Sequence, residues 1–186
     1  MFSVVGASAF LPFLPMLPIQ VLTNNLLYDF SQTTIPTDQG DAEWLTRPRK
    51  WEIDRILRFI LFIGPISSIF DYPTFFMMLY VFNAWQDPAL FHTGWFVESL
   101  FTLTLIIHAI RTNKIPFLQS RASWPLMLTS VLIVTVGALL TVSPLAGVLG
   151  LVPLPGLYWL LLAGMLMCYL TLTQWVKSWF YRRFGE

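Results

Sequence analysis

The chain has 186 residues, of which 56% are hydrophobic and only 11% are charged, and its mean hydropathy is +0.66. This composition excludes a soluble globular domain and is typical of a membrane protein with several helical spans. The formal net charge of +1 gives no electrostatic argument for binding nucleic acid, so we expect no nucleic-acid partner.

The first apolar segment, about 2–14, is too short to cross a hydrocarbon core that needs roughly 20 helical residues. Pro12, Pro15 and Pro18 then predict a tight reversal, because proline removes backbone donors and resists a helix interior. A second helix is predicted over 17–35. The short first segment resembles half of a helix, so we expect this chain to be the C-terminal portion of something longer.

A polar loop is predicted over 36–57. Four further transmembrane helices follow within 58–176, at about 58–83, 94–110, 125–142 and 157–176, and a tail covers 177–186. The predicted fold class is an all-α integral membrane protein, a polytopic helical bundle with about five full spans plus a truncated first span.

The basic residues predict the orientation. All eleven lie in or beside the loop 36–57, between the fourth and fifth helices, or at the C-terminal end: Arg47, Arg49, Lys50, Arg55, Arg58, Arg111, Lys114, Arg121, Lys177, Arg182 and Arg183. With the predicted spans, these three regions share one side of the membrane, which the positive-inside rule identifies as the cytoplasmic side. Because the chain is predicted to span the membrane, the lipid bilayer is a predicted partner. The basic side chains of the tail are expected to snorkel at the interface.

The second helix contains an unexpectedly polar stretch, "LTNNLLYDFSQ" at 22–32. At about 100° per residue, Asn25, Asp29 and Gln32 share one stripe, with Asn24 and Tyr28 beside it. These polar groups are therefore predicted to face protein or water rather than lipid.

Two further acids lie within predicted helices: Asp71 near the middle of the third, and Glu98 nearer the outer end of the fourth. A carboxylate at the bilayer centre costs several kcal/mol, so Asp29 and Asp71 at similar depth suggest a cation between them. Carboxylate, amide and hydroxyl oxygens suit a hard cation such as Mg²⁺ or Ca²⁺. The predicted ligands are Asn25, Tyr28, Asp29, Asp71 and Glu98.

Structural interpretations of the same residues stay open. Asp29 and Asp71 could be hydrogen-bonded contacts between helices, and Glu98 could face a solvated outer cavity. Gly64, Ser67 and Ser68 are interpreted as close-packing residues. We interpret His108 as interfacial, and His92 as a loop residue with no visible partner. The tryptophans near helix ends are interpreted as interfacial belts.

Longer motifs resemble a known family. "FLPFLPMLPIQVLTNNLLYD" is similar to the fifth and sixth membrane helices of P-type ATPases, in which an Asn-x-x-x-Asp pair binds the transported cation. "PRKWEIDRILRFILFIGPISSIFDYPTF", "LFHTGWFVESLFTLTLIIHAIRTNKIPFLQSRASWPL" and "TVSPLAGVLG" resemble the magnesium-transporting branch. The resemblance covers essentially the whole chain.

The resemblance implies that Asn25 and Asp29 are the sixth-helix ligand pair, with Tyr28 where calcium pumps usually carry threonine. Asp71 would be a seventh-helix acid, and Glu98 an eighth-helix acid near a calcium-pump ligand. It further implies Mg²⁺ as the transported ion, import into the cytoplasm, a location in the inner (plasma) membrane, and the remaining domains of the same pump as partners.

The resemblance also implies an ATP-driven translocase, but the chain has no Asp-Lys-Thr-Gly-Thr phosphorylation motif and no nucleotide domain. We therefore expect ATP to be bound by domains outside the chain, and the chain alone to be inactive as an ATPase. The alternatives are the same architecture carrying another divalent cation such as Ca²⁺, and a free-standing structural or regulatory membrane fragment.

The placement of the basic residues predicts the topology. A reporter fused after Glu186 or inserted near Gln39 should be cytoplasmic, and one inserted near Gln86 should be outside. Paired alkaline phosphatase and fluorescent-protein fusions measure this. An external signal at Gln39 would overturn the span assignment.

Overall fold

The structure is a computed structural model that describes residues 2–38, 53–112, 116 and 119–184. Most of the predicted loop, 39–52, lies outside the described residues, as do Arg47, Arg49, Lys50 and Lys114 and the last two residues of the predicted tail.

Seven α-helices are described, and no strand occurs in the described ranges. They are α1 (Phe2–Ser8), α2 (Pro18–Gln32), α3 (Ile53–Phe76), α4 (Pro88–Ile110), α5 (Trp124–Leu140), α6 (Ala146–Leu149) and α7 (Gly156–Phe184). A π-helical segment, Met77–Val81, extends α3, and a 3₁₀ turn, Ile35–Thr37, follows α2. The predicted all-α fold class is confirmed.

Three of the described helices contain segments long and apolar enough to cross a membrane: Ile60–Val81, Pro88–Ile110 and Gly156–Arg183. The α5 helix is a shorter apolar helix of 17 residues, and α2 has 15. This agrees with an integral membrane bundle, while the predicted number of crossings stays a prediction.

Several boundaries differ from the sequence prediction. The first helix ends at Ser8 rather than near residue 14, because Pro12 and Pro15 follow. The α4 helix begins at Pro88 rather than near residue 94, since Asp87 accepts the Leu90 N–H at 3.2 Å and proline suits the first helical position. The α7 helix runs through most of the predicted tail, where no proline interrupts it.

The α4 helix lies at the centre of the bundle. It packs against α2, α3, α5 and α7, while α3 also packs against α1 and α7. Its apolar span is more deeply buried than those of α3 and α7. The main core around α4 includes Phe75, Phe96 and Tyr158, whose exposure is 0%.

Polar contacts attach the reversal between α1 and α2 to this bundle. His92 lies in α4, is buried, and its Nε2 lies 2.6 Å from the Leu14 carbonyl oxygen. The prediction of a loop histidine without a partner is therefore wrong. The Gln20 amide donates to the carbonyl oxygens of Leu149 and Gly150 at 2.9 and 3.2 Å, which joins the start of α2 to the end of α6.

A second polar junction lies at the opposite end of α4. Asp38, which follows the 3₁₀ turn, accepts from Arg111 Nε and from the Ser123 N–H at 2.8 and 2.7 Å. Ser123 is the N-cap residue of α5. One carboxylate therefore joins the chain beyond α2 to the end of α4 and the start of α5, where a negative charge also suits the helix dipole.

Glycine allows close packing between α4 and α5. A Cβ placed on Gly137 would collide with Leu100 Cδ2, and Leu100 has no exposed surface. Gly64 was expected to serve close packing, but a Cβ placed there would meet nothing within 4 Å. Of these two glycines, only Gly137 lies where a neighbouring helix approaches closely.

We expect Gly137→Leu to lower the melting temperature of the complete detergent-solubilised protein, because overpacking a buried contact costs about 1–3 kcal/mol. Gly64→Leu is the matched control and should leave the melting temperature near the wild-type value. Adding Leu100→Ala should partly restore the Gly137→Leu variant. Equal melting temperatures for the two leucine variants would contradict this packing.

Candidate cation site

A group of polar side chains, here called the acidic cluster, lies where α1, α3 and α4 meet. It consists of Ser3, Asp71, Trp95 and Glu98. The Trp95 indole N–H donates to Asp71 Oδ1 at 3.0 Å, and the Ser3 and Glu98 side chains lie beside Asp71. All four side chains are buried, Glu98 with 1% exposure and Asp71 with 8%.

Helical spacing brings the cluster together. Trp95 and Glu98 are three residues apart on α4, so both side chains point from one face of that helix toward Asp71 on α3. Trp95 is also held edge-on against Phe75 of α3, with ring centroids 4.9 Å apart. The aromatic packing and the hydrogen bond together fix the orientation of the Asp71 carboxyl.

Two neighbouring carboxyl groups repel when both are charged, and a nonpolar environment strengthens that repulsion. Among the described side chains no Lys, Arg or His forms an ion pair with either acid, and Glu98 Oε2 has no hydrogen-bond partner. Such a pair requires a proton or a cation between its oxygens. This is the chemistry that the acidic cluster offers.

The α2 helix presents a different asparagine to the bundle than the sequence analysis selected. Its buried residues are Gln20, Asn24 and Ser31, spaced four and seven apart along one face. Asn24 Nδ2 donates to Ser99 Oγ on α4 at 2.5 Å, and Asn24 Oδ1 is buried without a partner. The spacing of Gln20, Asn24 and Ser31 along one helical face is visible in the sequence, and it was the signal that pointed to Asn24.

The other predicted ligands lie elsewhere. Asn25 and Asp29 are exposed on the side of α2 that faces away from the rest of the described chain. Tyr28 is half-buried beside Ile107 and Leu126.

The structure thus brings Asp71 and Glu98 together and does not bring Asn25 or Asp29 to them. No group of three or more His, Cys, Asp or Glu side chains suited to a metal ion occurs within the described ranges. The roles of the five predicted residues as ligands stay predictions.

Two other residues discussed in the sequence analysis contact neighbouring helices. Ser67, interpreted as a packing residue, lies beside the Tyr169 side chain of α7. His108, interpreted as interfacial, is buried, and its Nε2 lies 2.8 Å from the Ser130 hydroxyl on α5.

Comparison with known proteins identifies related sequences. A family model described as "Cation transporting ATPase, C-terminus" matches residues 13–179. The chain is 50% identical over 187 residues to "Magnesium-transporting ATPase, P-type 1" of Salmonella typhimurium, and 52% identical over 186 residues to the protein of that name from Escherichia coli K12. The matches cover 100% and 99% of the chain but 21% of each relative, so the chain spans about a fifth of their length.

We expect Trp95→Phe to destabilise the complete protein by about 1–3 kcal/mol, because Asp71 Oδ1 then loses a buried donor. In a double-mutant cycle with Asp71→Ala, the cost of Trp95→Phe should become smaller, since the acceptor is already absent. Melting temperatures in detergent measure both. Trp159→Phe, in the same bundle and edge-on against Tyr158, is the control. Additive costs for Trp95→Phe and Asp71→Ala would show that this hydrogen bond contributes nothing.

Proposed function

Because the chain belongs to the family of cation-transporting ATPase C-terminal regions, we propose that it is the C-terminal membrane domain of an ATP-driven magnesium transporter. The observation that carries this proposal is the buried acid pair, Asp71 and Glu98, on two helices long and apolar enough to cross a membrane. Intramembrane ionisable side chains that face a bundle interior are expensive to retain, and they mark ion pathways.

The polar residues exposed on α2 support the proposal that other parts of the protein complete the site. Asn25 and Asp29 lie on its exposed face, and the relatives contain about four further fifths of sequence. We infer that additional helices cover that face and that Asn25 and Asp29 bind the ion there, with Tyr28 contributing from the edge of that face, where it packs against Ile107 and Leu126. Asp71 and Glu98 form the second part of the pathway, on the other side of α2.

Magnesium is the proposed ion because both relatives carry it in their names. Oxygen ligands would also suit Ca²⁺, which remains the chemical alternative. Mg²⁺ dehydrates reluctantly and is usually held by one or two carboxylates together with waters. A site with one acid on α2 and a pair of acids on α3 and α4, rather than a cage of several carboxylates, fits that preference.

The rest of the mechanism belongs to domains outside this chain. We infer that they bind ATP, accept the phosphoryl group and contact the loop 36–57, and that transport is directed into the cytoplasm. We further propose a multi-pass location in the inner membrane with a cytoplasmic C-terminus. The basic residues of the predicted loops and tail support that orientation.

Substitutions in the complete pump test the proposed site. Asp29→Asn should nearly abolish magnesium transport and Asp71→Asn should weaken it substantially, because each removes a negative charge while keeping the shape. Asn25→Ala should impair transport, Glu98→Gln should have an intermediate effect, and Ser67→Ala should be mild. The measurement is growth of a transport-deficient strain at limiting magnesium, with membrane expression checked for every variant.

Wild-type growth of both Asp29→Asn and Asp71→Asn would mean that neither carboxylate is a ligand. The purified chain alone is the negative control, since it lacks the phosphorylation motif and should release no phosphate from ATP. Phosphate release by that preparation, free of contaminants, would contradict the assignment of ATP hydrolysis to other domains.

A further inference from the structure

Lys177 is a buried cation on α7. Its side chain is 1% exposed, although the sequence predicted a snorkelling residue of the tail. The Nζ atom donates to the carbonyl oxygens of Ala109 and Thr112 at 2.8 and 2.9 Å. The expectation of a snorkelling Lys177 is therefore wrong, because its ammonium group points into the bundle.

Ala109 lies in the last turn of α4, which ends at Ile110, and Thr112 lies two residues beyond that end. The last four carbonyl groups of a helix accept no hydrogen bond from an N–H of the same helix, so they need other donors. A cation at this end also interacts favourably with the helix dipole. An ammonium group with three donors suits such a cluster of carbonyls. Lys177 is thus a C-terminal cap supplied by a different helix.

The capped helix, α4, also carries Trp95 and Glu98 of the acidic cluster. Glu98 lies eleven residues before Ala109, about 16 Å along the helix axis at the usual rise of about 1.5 Å per residue. Beside the cap, Arg111 forms an ion pair with Asp38 at 2.8 Å. The end of α4 is therefore attached to α7 on one side and to the segment after α2 on the other.

Apolar packing alone would permit α4 to slide, because contacts between hydrocarbon side chains have little directionality. Charged hydrogen bonds to specific carbonyls are directional and roughly twice as strong as neutral ones. We propose that Lys177 is a positioning residue that fixes α4 axially against α7 and thereby sets the position of Glu98. The consequence for transport rests on the proposed function, whereas the capping itself does not.

The first experiment measures the cap directly. Hydrogen exchange of the complete protein in detergent is followed for a peptide covering 105–112, with a peptide from α5 as internal reference. Lys177→Met should accelerate exchange in the first peptide by about tenfold or more, since it removes charged hydrogen bonds. Lys177→Arg keeps a charged donor and should stay near the wild-type rate.

Arg182→Met is the matched control, because it removes a positive charge from an exposed position on the same helix. It should leave exchange in 105–112 unchanged. If Lys177→Met does not accumulate, Lys177→Gln replaces it and should show faster exchange than Lys177→Arg. Wild-type exchange in the Met or Gln variant would overturn the cap.

The second experiment asks whether the cap positions Glu98. The magnesium concentration for half-maximal ATPase activity is measured in the complete pump. Lys177→Met should raise it by about twofold to thirtyfold, and the shift should largely disappear in a Glu98→Gln background. An unchanged half-saturating concentration in Lys177→Met, or full additivity with Glu98→Gln, would overturn the positioning role.

The two experiments separate this inference from the proposed function. If Glu98→Gln alone leaves the half-saturating magnesium concentration unchanged, the proposed role of Glu98 in the cation site fails. The exchange result then decides on the cap by itself: faster exchange in Lys177→Met supports it, and unchanged exchange overturns it.

Discussion

The carboxyl group of Glu98 is the constraint around which the bundle is organised. It is 1% exposed on a helix long and apolar enough to cross a membrane, and neither lipid nor apolar side chains can compensate for its charge. The α4 helix must therefore be surrounded by protein, and it is the element that contacts α2, α3, α5 and α7. Asp71, brought to Glu98 by α3, is in turn held by the Trp95 indole. The arrangement of the other long helices follows from enclosing this polar position.

Polar contacts hold α4 at both ends, in addition to the Trp95–Asp71 and Asn24–Ser99 hydrogen bonds and the apolar packing between them. At its N-terminal end Asp87 caps the helix, and His92 contacts the Leu14 carbonyl oxygen in the reversal between α1 and α2. At its C-terminal end Lys177 caps the helix from α7, and Arg111 is paired with Asp38. These directional hydrogen bonds restrict sliding and rotation of the helix, which dispersion contacts alone resist only weakly. A helix fixed in this way can hold a carboxyl group at a defined depth.

The α2 helix is polar on two faces for two different reasons. Its inward face uses Gln20 and Asn24 to contact α6 and α4, so these amides contribute to assembly of the bundle. Its outward face carries Asn25 and Asp29, which the described part of the chain does not cover. Under the proposed function, helices outside this chain cover that face. Polar residues on a membrane helix therefore have to be assigned face by face before a ligand role is given to any of them.

The sequence by itself determined the all-α membrane class, the family and the order of the helices, because apolar length and proline positions are local properties. It also identified Asp71 and Glu98 as acids within apolar helices, since charges within apolar runs are rare and conspicuous, but it left open whether Glu98 faces a solvated cavity. It did not reveal that Asn24 rather than Asn25 faces the bundle, or that Trp95 and Lys177 point inward. In a membrane helix the lipid-facing and protein-facing sides are both apolar, so periodicity defines an arc but not its direction. Only the packing of α4 against its four neighbours decided which face each residue occupies.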